Sequence, residues 1–340
     1  MAHSGERRSR LKILIVAPAW VGDMVMAHSL VQVLLSSSPG VEIHMLAPPA
    51  SEPLALRMPG VADSHVQDIR HGELALGRRR RLGRALRAQS FDRAIVLPNS
   101  FKSALVPWWA RIPRRIGWTG EGRFGVLNDR RTLDKSHLPM MIERFMALGL
   151  EGGQMLDKPY PRPQLRSDAE NSARLVTEYG LDCSGGVSVL CPGAEFGPAK
   201  RWPTAHFVAV ARHFLAQGRQ VWLIGSAADA SDCASIEAEF AAGVVNLAGK
   251  TRLVDAVDLL ALADCVVSND SGLMHIACAL QRSVVAIFGS TSAQFTPPLG
   301  EHATVVRQEI ECSPCFQREC PLGHLRCLRE LQPERVIEVL

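Results

Sequence analysis

The segment 268–275 places polar, chemically active side chains between an apolar run and a stretch with helical spacing. It reads Ser-Asn-Asp-Ser-Gly-Leu-Met-His and supplies Asp270, Ser271, Gly272 and His275. Such a turn directs the first N–H groups and the positive dipole end of a helix at an anion. Gly272 permits close approach to the backbone, and His275, about one turn on, can donate to the same oxygens. The pattern predicts a phosphate or diphosphate site, and its alternative is a helix capped by Asp270 or Ser271.

A second loop of this kind covers 192–203, with the sequence Pro-Gly-Ala-Glu-Phe-Gly-Pro-Ala-Lys-Arg-Trp-Pro. It follows an apolar strand and carries two glycines and the adjacent cations Lys200 and Arg201. A lysine ammonium is a compact charge suited to a diphosphate. The alternative is a surface loop whose cations bind nothing. Two anion-binding loops in one half of the chain together predict a site for a nucleotide diphosphate.

Asp23 offers a carboxylate at the end of the first apolar strand, just before a helix. In α/β domains, ligands bind at the carboxyl ends of the strands. A helix N-terminus depresses a carboxyl pKa, so we predict that Asp23 is ionised at neutral pH and can take a proton from a hydroxyl nucleophile. The alternative is that Asp23 caps the helix. Met26, three residues on, is not the acidic or amide partner of a capping box.

Apolar strands alternate with helical segments along both halves of the chain. Runs that are apolar throughout predict parallel strands with both faces buried. We therefore predict an α/β fold of two doubly wound, Rossmann-like domains joined by the proline-rich stretch 158–163. Neither half has G-x-G-x-x-G after its first strand, which argues against nicotinamide or flavin chemistry. The expected organisation is a disordered basic lead-in over 1–10, domains over 11–160 and 161–310, and a Cys-rich tail with a terminal helix over 311–340.

Composition and charge narrow the class of protein. The chain has 340 residues, of which 47% are hydrophobic and 21% charged, values typical of a soluble globular protein. A net charge of +4 is too small for a general nucleic-acid binder. No apolar run reaches the ~18 residues of a membrane span, and no secretory segment follows Met1, so we expect a cytoplasmic protein. The arginines of 78–87 and 111–123 suit a phosphorylated substrate or an anionic membrane surface, although the first cluster fits a solvated helix face equally well.

Four of the nine cysteines lie in the tail with the spacing Cys-x2-Cys-x4-Cys-x6-Cys. Without a secretory segment, a disulfide framework is not expected. Thiolates spaced in this way could hold a structural zinc ion. The alternative is a reduced, unligated loop, because gaps of four and six residues are not a standard zinc pattern. The candidate ligands are Cys312, Cys315, Cys320 and Cys327, with His324 nearby.

Four stretches of the chain are long enough to compare with known families. They are Val-Gly-Asp-Met-Val-Met at 21–26, Leu-Pro-Asn-Ser-Phe-Lys-Ser-Ala-Leu at 97–105, the loop 192–203, and Asn-Asp-Ser-Gly-Leu-Met-His at 269–275. Together they closely resemble the bacterial lipopolysaccharide heptosyltransferases of glycosyltransferase family 9. The resemblance covers about 11–299, and the lead-in and the cysteine-rich tail depart from it. It implies the GT-B fold, in which an N-terminal acceptor domain and a C-terminal donor domain face a cleft.

The resemblance also implies a reaction. It predicts transfer of L-glycero-D-manno-heptose from ADP-heptose to heptosyl-Kdo2-lipid A, with inversion and with no required cofactor. The alternatives are transfer at another core position and a non-catalytic nucleotide-sugar-binding protein. The expected partners are the ADP-heptose donor, the phosphorylated lipid A-linked acceptor and, peripherally, the cytoplasmic face of the inner membrane.

The resemblance assigns roles to residues of this chain by position. Asp23 matches the catalytic base, and Lys200 matches the lysine at the donor phosphates. The other donor-binding candidates are Glu195, Asp270, Ser271, Gly272, His275 and, by a looser alignment, Asp229. The arginine-bearing loop 111–128 would face the phosphorylated acceptor, and the acceptor-binding candidates are Lys102, Arg114, Arg115 and Arg123.

Overall fold

We describe the chain from a computed structural model that covers residues 10–70, 72–152 and 154–340. The lead-in predicted over 1–10 therefore lies outside the described residues, apart from Arg10. The chain forms two compact units. The first contains 10–19 and Ala27–Pro161, and the second contains Trp20–Met26 together with Arg162–Leu340. The chain leaves the first unit one residue after the predicted boundary, but the sequence does not predict that Trp20–Met26 belongs to the second.

The first unit is built on a parallel sheet of six strands in the order β3-β2-β1-β4-β5-β6. The strands are β1 (Lys12–Val16), β2 (Glu42–Ala47), β3 (Val61–Val66), β4 (Arg93–Val96), β5 (Arg114–Trp118) and β6 (Asp129–Arg131). The helices of this half of the chain are α1 (Val21–Met26), α2 (His28–Ser37), α3 (Glu52–Ala55), α4 (Leu76–Leu86), α5 (Leu105–Trp109) and α6 (Met141–Ala147). Ile13, Leu14 and Ile15 are fully buried on successive positions of β1, as a sheet covered on both faces requires.

The second unit repeats this plan, with a parallel sheet that reads β9-β8-β7-β10-β11-β12 from one edge. Its strands are β7 (Val187–Cys191), β8 (Gln220–Leu223), β9 (Val244–Asn246), β10 (Cys265–Asn269), β11 (Ser283–Phe288) and β12 (Ala303–Arg307). Its helices are α7 (Ala169–Tyr179), α8 (Thr204–Ala216), α9 (Ala230–Glu237), α10 (Leu253–Leu260), α11 (Gly272–Ala279), α12 (Arg326–Arg329) and α13 (Pro333–Ile337). In each sheet the first strand of the unit is central and the chain order reverses beside it, which is the doubly wound arrangement of a Rossmann-like domain.

Two glycines explain why α1 packs with the second unit. A Cβ atom on Gly22 would lie 2.7 Å from Cδ2 of His275, and one on Gly272 would lie 2.7 Å from Cβ of Val21. Neither distance is tolerated by real side chains. The absence of both side chains therefore lets α1 contact the start of α11, and this contact brings Asp23 into the second unit.

The cysteine-rich tail is an integral part of the second unit. Leu328, Leu331 and Val336 are fully buried in its core, in the same cluster as Phe207 and other side chains of α8. The indole Nε1 of Trp202 donates to the carbonyl of Leu331 at 2.9 Å. The segment predicted as a tail with one terminal helix thus carries two short helices, α12 and α13, that close one side of this core.

One predicted element requires correction. The segment 111–128, expected as an arginine-bearing loop, contains β5, and Arg114 and Arg115 lie on that strand. Their backbones pair with Arg93 and Ala94 of β4. The strand was missed because two arginines at its start hide the apolar alternation. Among the described residues, no helix has the length and hydropathy needed to cross a membrane.

Candidate active site

Asp23 occupies the third position of α1, where the backbone N–H of the next residue, Met24, already bonds the carbonyl of Trp20 at 2.8 Å. It is inside the helix and is not its cap, so the capping alternative is wrong. The side chain is partly buried and lies near Lys200 and Asp270.

The pKa of Asp23 shifts in the direction opposite to the prediction, although the carboxyl is still ionised at neutral pH. Burial raises the pKa of its carboxyl from 3.8 to about 6; the Lys200 ammonium lowers it and the Asp270 carboxylate raises it. The expected depression by the helix N-terminus is wrong, because the removal of water by burial is the largest influence on this carboxyl. A carboxyl with a pKa near 6 is largely ionised at pH 7 and is also a better proton acceptor than an ordinary aspartate.

Lys200 and Asp270, which the sequence places 70 residues apart, form a direct ion pair. Nζ of Lys200 lies 2.6 Å from Oδ2 of Asp270, with side chains 13% and 4% exposed. The hydroxyl of Thr291 donates to the same carboxylate oxygen. The Lys200 ammonium also lies 4.9 Å from the centre of the Phe196 ring. Asp270 therefore positions the lysine, and since an ammonium has further N–H groups, Lys200 can hold this pair and a ligand oxygen together.

His275 is buried at the second turn of α11. Burial lowers its pKa to about 4, although Asp270 acts in the opposite direction. The imidazole is therefore neutral at pH 7 and offers one N–H and one lone pair. Ser271 holds the N-cap position of the helix but makes no side-chain cap bond. The predicted alternative, in which the Ser271 side chain caps the helix, is therefore wrong.

An apolar pocket of about 230 Å³ opens beside this group, entirely within the second unit. Its walls are the aliphatic side chains of Val21, Ile224, Leu253, Ala256 and Leu273. Its polar lining includes four predicted donor-binding residues, which are Glu195, Asp229, Ser271 and Gly272. The pocket lies where β7, β8 and β10 end, the position at which doubly wound sheets bind nucleotides. Apolar walls combined with a few polar groups in the lining suit a nucleoside.

Asp229 is committed to local structure. Its Oδ2 accepts from the backbone N–H of Ser226 at 2.9 Å and from the Ser226 hydroxyl at 2.7 Å, and Oδ1 lies 3.2 Å from Nη2 of Arg201. A Cβ on Gly193 would lie 2.3 Å from the carboxylate, so the first loop of the unit packs directly on it. Asp229 shapes the wall of the apolar pocket, while Lys200, Asp270 and His275 lie outside its lining.

Three of the four acceptor candidates are engaged inside the first unit. Arg114 pairs with Asp129 and Glu151, each at 2.8 Å. Arg115 donates to backbone carbonyls, including that of Val126 at 2.7 Å. Arg123, 1% exposed, bonds the carbonyls of Pro98 and Trp118. These guanidinium groups hold β5 and its following loop together.

The fourth candidate, Lys102, lines a different pocket. This cationic pocket, about 190 Å³ and within the first unit, is also lined by Arg70, Arg79 and Gln67. Arg79 is 3% exposed; its Nε donates to the carbonyl of Leu74 at 2.8 Å, whereas its Nη1 is buried without a partner. The Oε1 of Gln67 is also buried and unpartnered. An orphaned donor and an orphaned acceptor at one pocket indicate a polar ligand.

Sequence reasoning missed Arg79 because it stands in a run of arginines. The cluster 78–87 was compatible with a solvated helix face, and most of it is exposed. Of the arginines in this cluster, only Arg79 is buried. Thr291 was missed for a different reason, since it follows β11 in a loop with no motif of its own.

The tail thiols surround one small cavity. Cys312, Cys315, Cys320 and Cys327 line a space of about 20 Å³ together with His324. Backbone N–H groups of 322–325 bond the Cys320 sulfur and lower its pKa, whereas burial raises the pKa of Cys327 to about 11. In the described part of the chain, no three of these thiols come within 4.8 Å of one another, the spacing of a ready metal site.

Comparison with known proteins identifies the class. The model of glycosyltransferase family 9 (heptosyltransferase) matches residues 79–326. The chain belongs to this family and is a glycosyltransferase with the GT-B fold, as predicted.

Within the family, the chain is more similar in sequence to some heptosyltransferases than to others. The lipopolysaccharide heptosyltransferase 2 of Salmonella typhimurium is 43% identical, over 97% of both chains. The lipopolysaccharide heptosyltransferase 1 of Pseudomonas aeruginosa is 26% identical, over 96% of this chain and 92% of the relative. The solved structure of Escherichia coli ADP-heptose lipopolysaccharide heptosyltransferase II matches with a TM-score of 0.87 and 42% identity, over 97% of both chains.

Proposed function

We propose that this enzyme transfers L-glycero-D-manno-heptose from ADP-heptose to a hydroxyl of heptosyl-Kdo2-lipid A, with inversion at the anomeric carbon. The observation that carries the proposal is the grouping of a nucleoside-sized apolar pocket, a paired lysine and a carboxylate with a raised pKa in one unit. The higher identity to a heptosyltransferase 2 than to a heptosyltransferase 1 supports the singly heptosylated acceptor.

The donor occupies the second unit in this proposal. Adenosine fills the apolar pocket between Ile224, Leu253 and Leu273. The diphosphate lies at the start of α11, where free helical N–H groups and the dipole favour an anion. Lys200, fixed by Asp270, neutralises the charge that develops on the departing ADP.

Asp23 and His275 serve the reacting atoms. The acceptor oxygen forms a bond to the anomeric carbon as the bond from that carbon to the diphosphate oxygen breaks. Asp23 takes the hydroxyl proton, and ADP leaves with the bonding electron pair. His275, neutral at pH 7, keeps one N–H that can donate a hydrogen bond to an oxygen of ADP-heptose without adding charge.

The acceptor's anionic groups bind the cationic pocket of the first unit. Lys102, Arg70 and the unpartnered Nη1 of Arg79 supply positive charge and N–H donors. A phosphate or carboxylate would satisfy Nη1 of Arg79 and restore a charge-assisted bond worth more than a neutral one. Because this acceptor is anchored in a membrane by lipid A, we also propose peripheral contact with the cytoplasmic face of the inner membrane.

The decisive assay supplies ADP-heptose with two acceptors in parallel, Kdo2-lipid A and heptosyl-Kdo2-lipid A. We expect release of ADP and a mass gain of one heptose on the heptosylated acceptor only. A gain on Kdo2-lipid A instead would favour the alternative, transfer at another core position. Absence of transfer to both acceptors would overturn the proposed reaction.

A zinc ion bound by the tail cysteines stays a prediction, and the cavity that these four residues line supports it. The cavity has room for a single small ion, and the bonded Cys320 sulfur is stabilised as a thiolate. Ala199, next to Lys200, lines the same cavity and its N–H bonds the carbonyl of Arg318 at 3.1 Å. Elemental analysis and thiol titration of protein purified without added metal test this: zinc near one equivalent together with protected tail thiols supports the site, and four freely titratable tail thiols reject it.

A further inference from the structure

Four metal-binding side chains share one face of the sheet in the first unit, at the pair of strands β2 and β3. Residues two apart on a strand point to the same side, so Glu42 and His44 share a face of β2, and Asp63 and His65 share a face of β3. The parallel register sets His44 opposite Asp63, after an irregularity at the preceding residue. None of these residues belongs to the donor site of the second unit or to the cationic pocket of the first.

Three of these side chains bring their ligand atoms close together. Nδ1 of His44 lies 3.1 Å from Nε2 of His65 and 3.8 Å from Oδ2 of Asp63, and all three ligand atoms lie within 4.8 Å of one another. Two nitrogens bound at about 2.0–2.1 Å to one ion stand about 2.9–3.4 Å apart at ordinary ligand angles. The histidine pair already has this separation, and the half-exposed Asp63 carboxylate must move closer to complete the set.

Glu42 orients the buried member of the pair. Its Oε1 lies 2.7 Å from Nε2 of His44, which is only 4% exposed. A carboxylate at Nε2 fixes the proton there, so Nδ1 presents a lone pair toward His65 and Asp63. This carboxylate–histidine arrangement is the usual outer shell of a protein-bound metal. Lys12, 3.1 Å from the same Oε1, also holds Glu42 in place.

We propose that His44, His65 and Asp63 bind one divalent transition-metal ion, with Glu42 orienting His44. Two imidazoles and one carboxylate favour Zn²⁺, Co²⁺ or Ni²⁺ over Mg²⁺ or Ca²⁺. Asp63 is half exposed, so water can complete the coordination from the solvent side.

In the metal-free protein the same contact is a hydrogen bond between the two rings. With the Nε2 proton of His44 held by Glu42, His65 donates from Nε2 to Nδ1 of His44. Metal binding requires His65 to carry its proton on Nδ1 instead, without any net release of protons. The bound ion would tie β3, the edge strand, to β2.

The test is a Co²⁺ titration of the full-length, chelator-treated protein, followed by visible absorption and by thermal unfolding with and without Zn²⁺. We expect one saturable equivalent with the d–d bands of a nitrogen and oxygen site, apart from any sulfur-bound ion at the tail cysteines, and a rise in Tm with Zn²⁺. The nitrogen and oxygen bands should disappear in His65→Gln, and the rise in Tm should be smaller in this variant than in the unsubstituted protein. In Asp63→Asn, whose side chain is exposed enough to leave the fold intact, the Co²⁺ affinity of this site should fall at least tenfold. Glu42→Gln should weaken binding about 10- to 100-fold.

The matched control is His137→Gln, which alters an exposed histidine that also pairs with an aspartate, Asp134, at 2.7 Å. It should bind Co²⁺ as the unsubstituted protein does. The proposal fails if no saturable binding occurs, if His65→Gln binds normally, or if the spectrum shows only the sulfur-to-cobalt charge transfer expected of the tail cysteines. None of these outcomes depends on transferase activity, so failure here leaves the proposed reaction standing.

Discussion

The two units share one strand order and differ in what lines their pockets. In each, the pocket forms where the central strands end: after β1 and β4 in the first unit, and after β7, β8 and β10 in the second. The first pocket presents Lys102, Arg70 and Arg79, and the second presents aliphatic walls with Glu195, Asp229 and Ser271 in its lining. The same topology therefore places both pockets at strand ends, while a few side chains make one pocket cationic and the other apolar.

The two units also differ in the partners of their cationic side chains. In the first unit, Arg114 pairs with carboxylates and Arg115 donates to carbonyls of its own unit, and Arg123 donates to two carbonyls while its Nε is buried without a partner. In the second, Asp270 holds Lys200 with one carboxylate oxygen, in a group that also includes Thr291. A cation near a pocket therefore indicates a binding role only when its donors are not already used.

The largest expected effect is on the chemical step. Asp23→Asn cannot accept the acceptor's proton, so kcat should fall by roughly 10²–10⁴-fold, with ADP affinity nearly unchanged. Steady-state kinetics with calorimetric ADP binding provides the measurement. Because the raised pKa means that ionised Asp23 disfavours the folded state above about pH 6, the Asn variant should unfold at no lower temperature at pH 7. A variant with the original kcat would remove Asp23 from the mechanism, and one that fails to fold would give it a structural role.

Two lysine variants test whether the donor and the acceptor bind in different pockets. Lys200→Ala should weaken ADP binding about 10- to 150-fold, the loss of one charge-assisted contact, and should change the acceptor KM far less. Lys102→Ala, with a lysine that is likewise partly buried, should raise the acceptor KM about tenfold and leave ADP binding unchanged.

The control for this pair is Arg80→Met, which removes an exposed cation one residue from Arg79. Neither ADP affinity nor acceptor KM should respond. If Lys200→Ala and Lys102→Ala impaired the same substrate equally, the assignment of one ligand to each pocket would be wrong.

The pH dependence gives a smaller but more specific effect. Because Asp23 must be ionised to act as a base and its pKa is raised to about 6, kcat/KM should be level above about pH 7 and fall as pH drops through 6. Asp270→Asn removes a charge that raises this pKa, so the falling limb should move to lower pH. Lys200→Ala removes a charge that lowers it, so the limb should move to higher pH. Shifts in one common direction would show that another group titrates.

The free energy of unfolding depends on the same pKa, but the folded state favours the protonated form of Asp23 whereas the reaction needs the ionised form. The folded pKa of Asp23 lies above the unfolded value of 3.8, so the folded protein holds the proton more tightly between 3.8 and about 6. The contribution of this group to stability is therefore present at low pH and is lost as pH rises through that window.

The sequence predicts the central strands well because they are buried on both faces. β7 and β11 begin and end where their apolar runs do, at Val187–Cys191 and Ser283–Phe288. The edge strands β3 and β6 were not predicted, since each is short or partly exposed and carries charged residues. Edge positions leave only one neighbour and one buried side, which weakens the pattern from which strands are recognised.

The residues that meet at the candidate site could be predicted from the sequence, but their pKa values could not; their roles stay a prediction. Asp23, Lys200 and Asp270 were all found from turns at strand ends and from the family resemblance. The pKa of Asp23 depends on burial against elements far along the chain, through a contact that Gly22 makes possible. Arg79 could not be separated from its exposed neighbours, because its inward position depends on the carbonyls it bonds at Leu74 and Glu73. Local sequence carries no record of the distant contact that buries Asp23, and it does not show which arginine of the run turns inward.

A crystal structure of the protein with ADP bound tests most directly whether the donor nucleotide binds in the second unit. We expect adenine against Ile224, Leu253 and Leu273. We also expect Nζ of Lys200 within hydrogen-bond distance of a phosphate oxygen while it is still paired with Asp270. The cationic pocket around Lys102 should then contain no adenine. ADP bound in that pocket, or bound in the second unit with its phosphates out of reach of Lys200, would contradict the assignment of the donor.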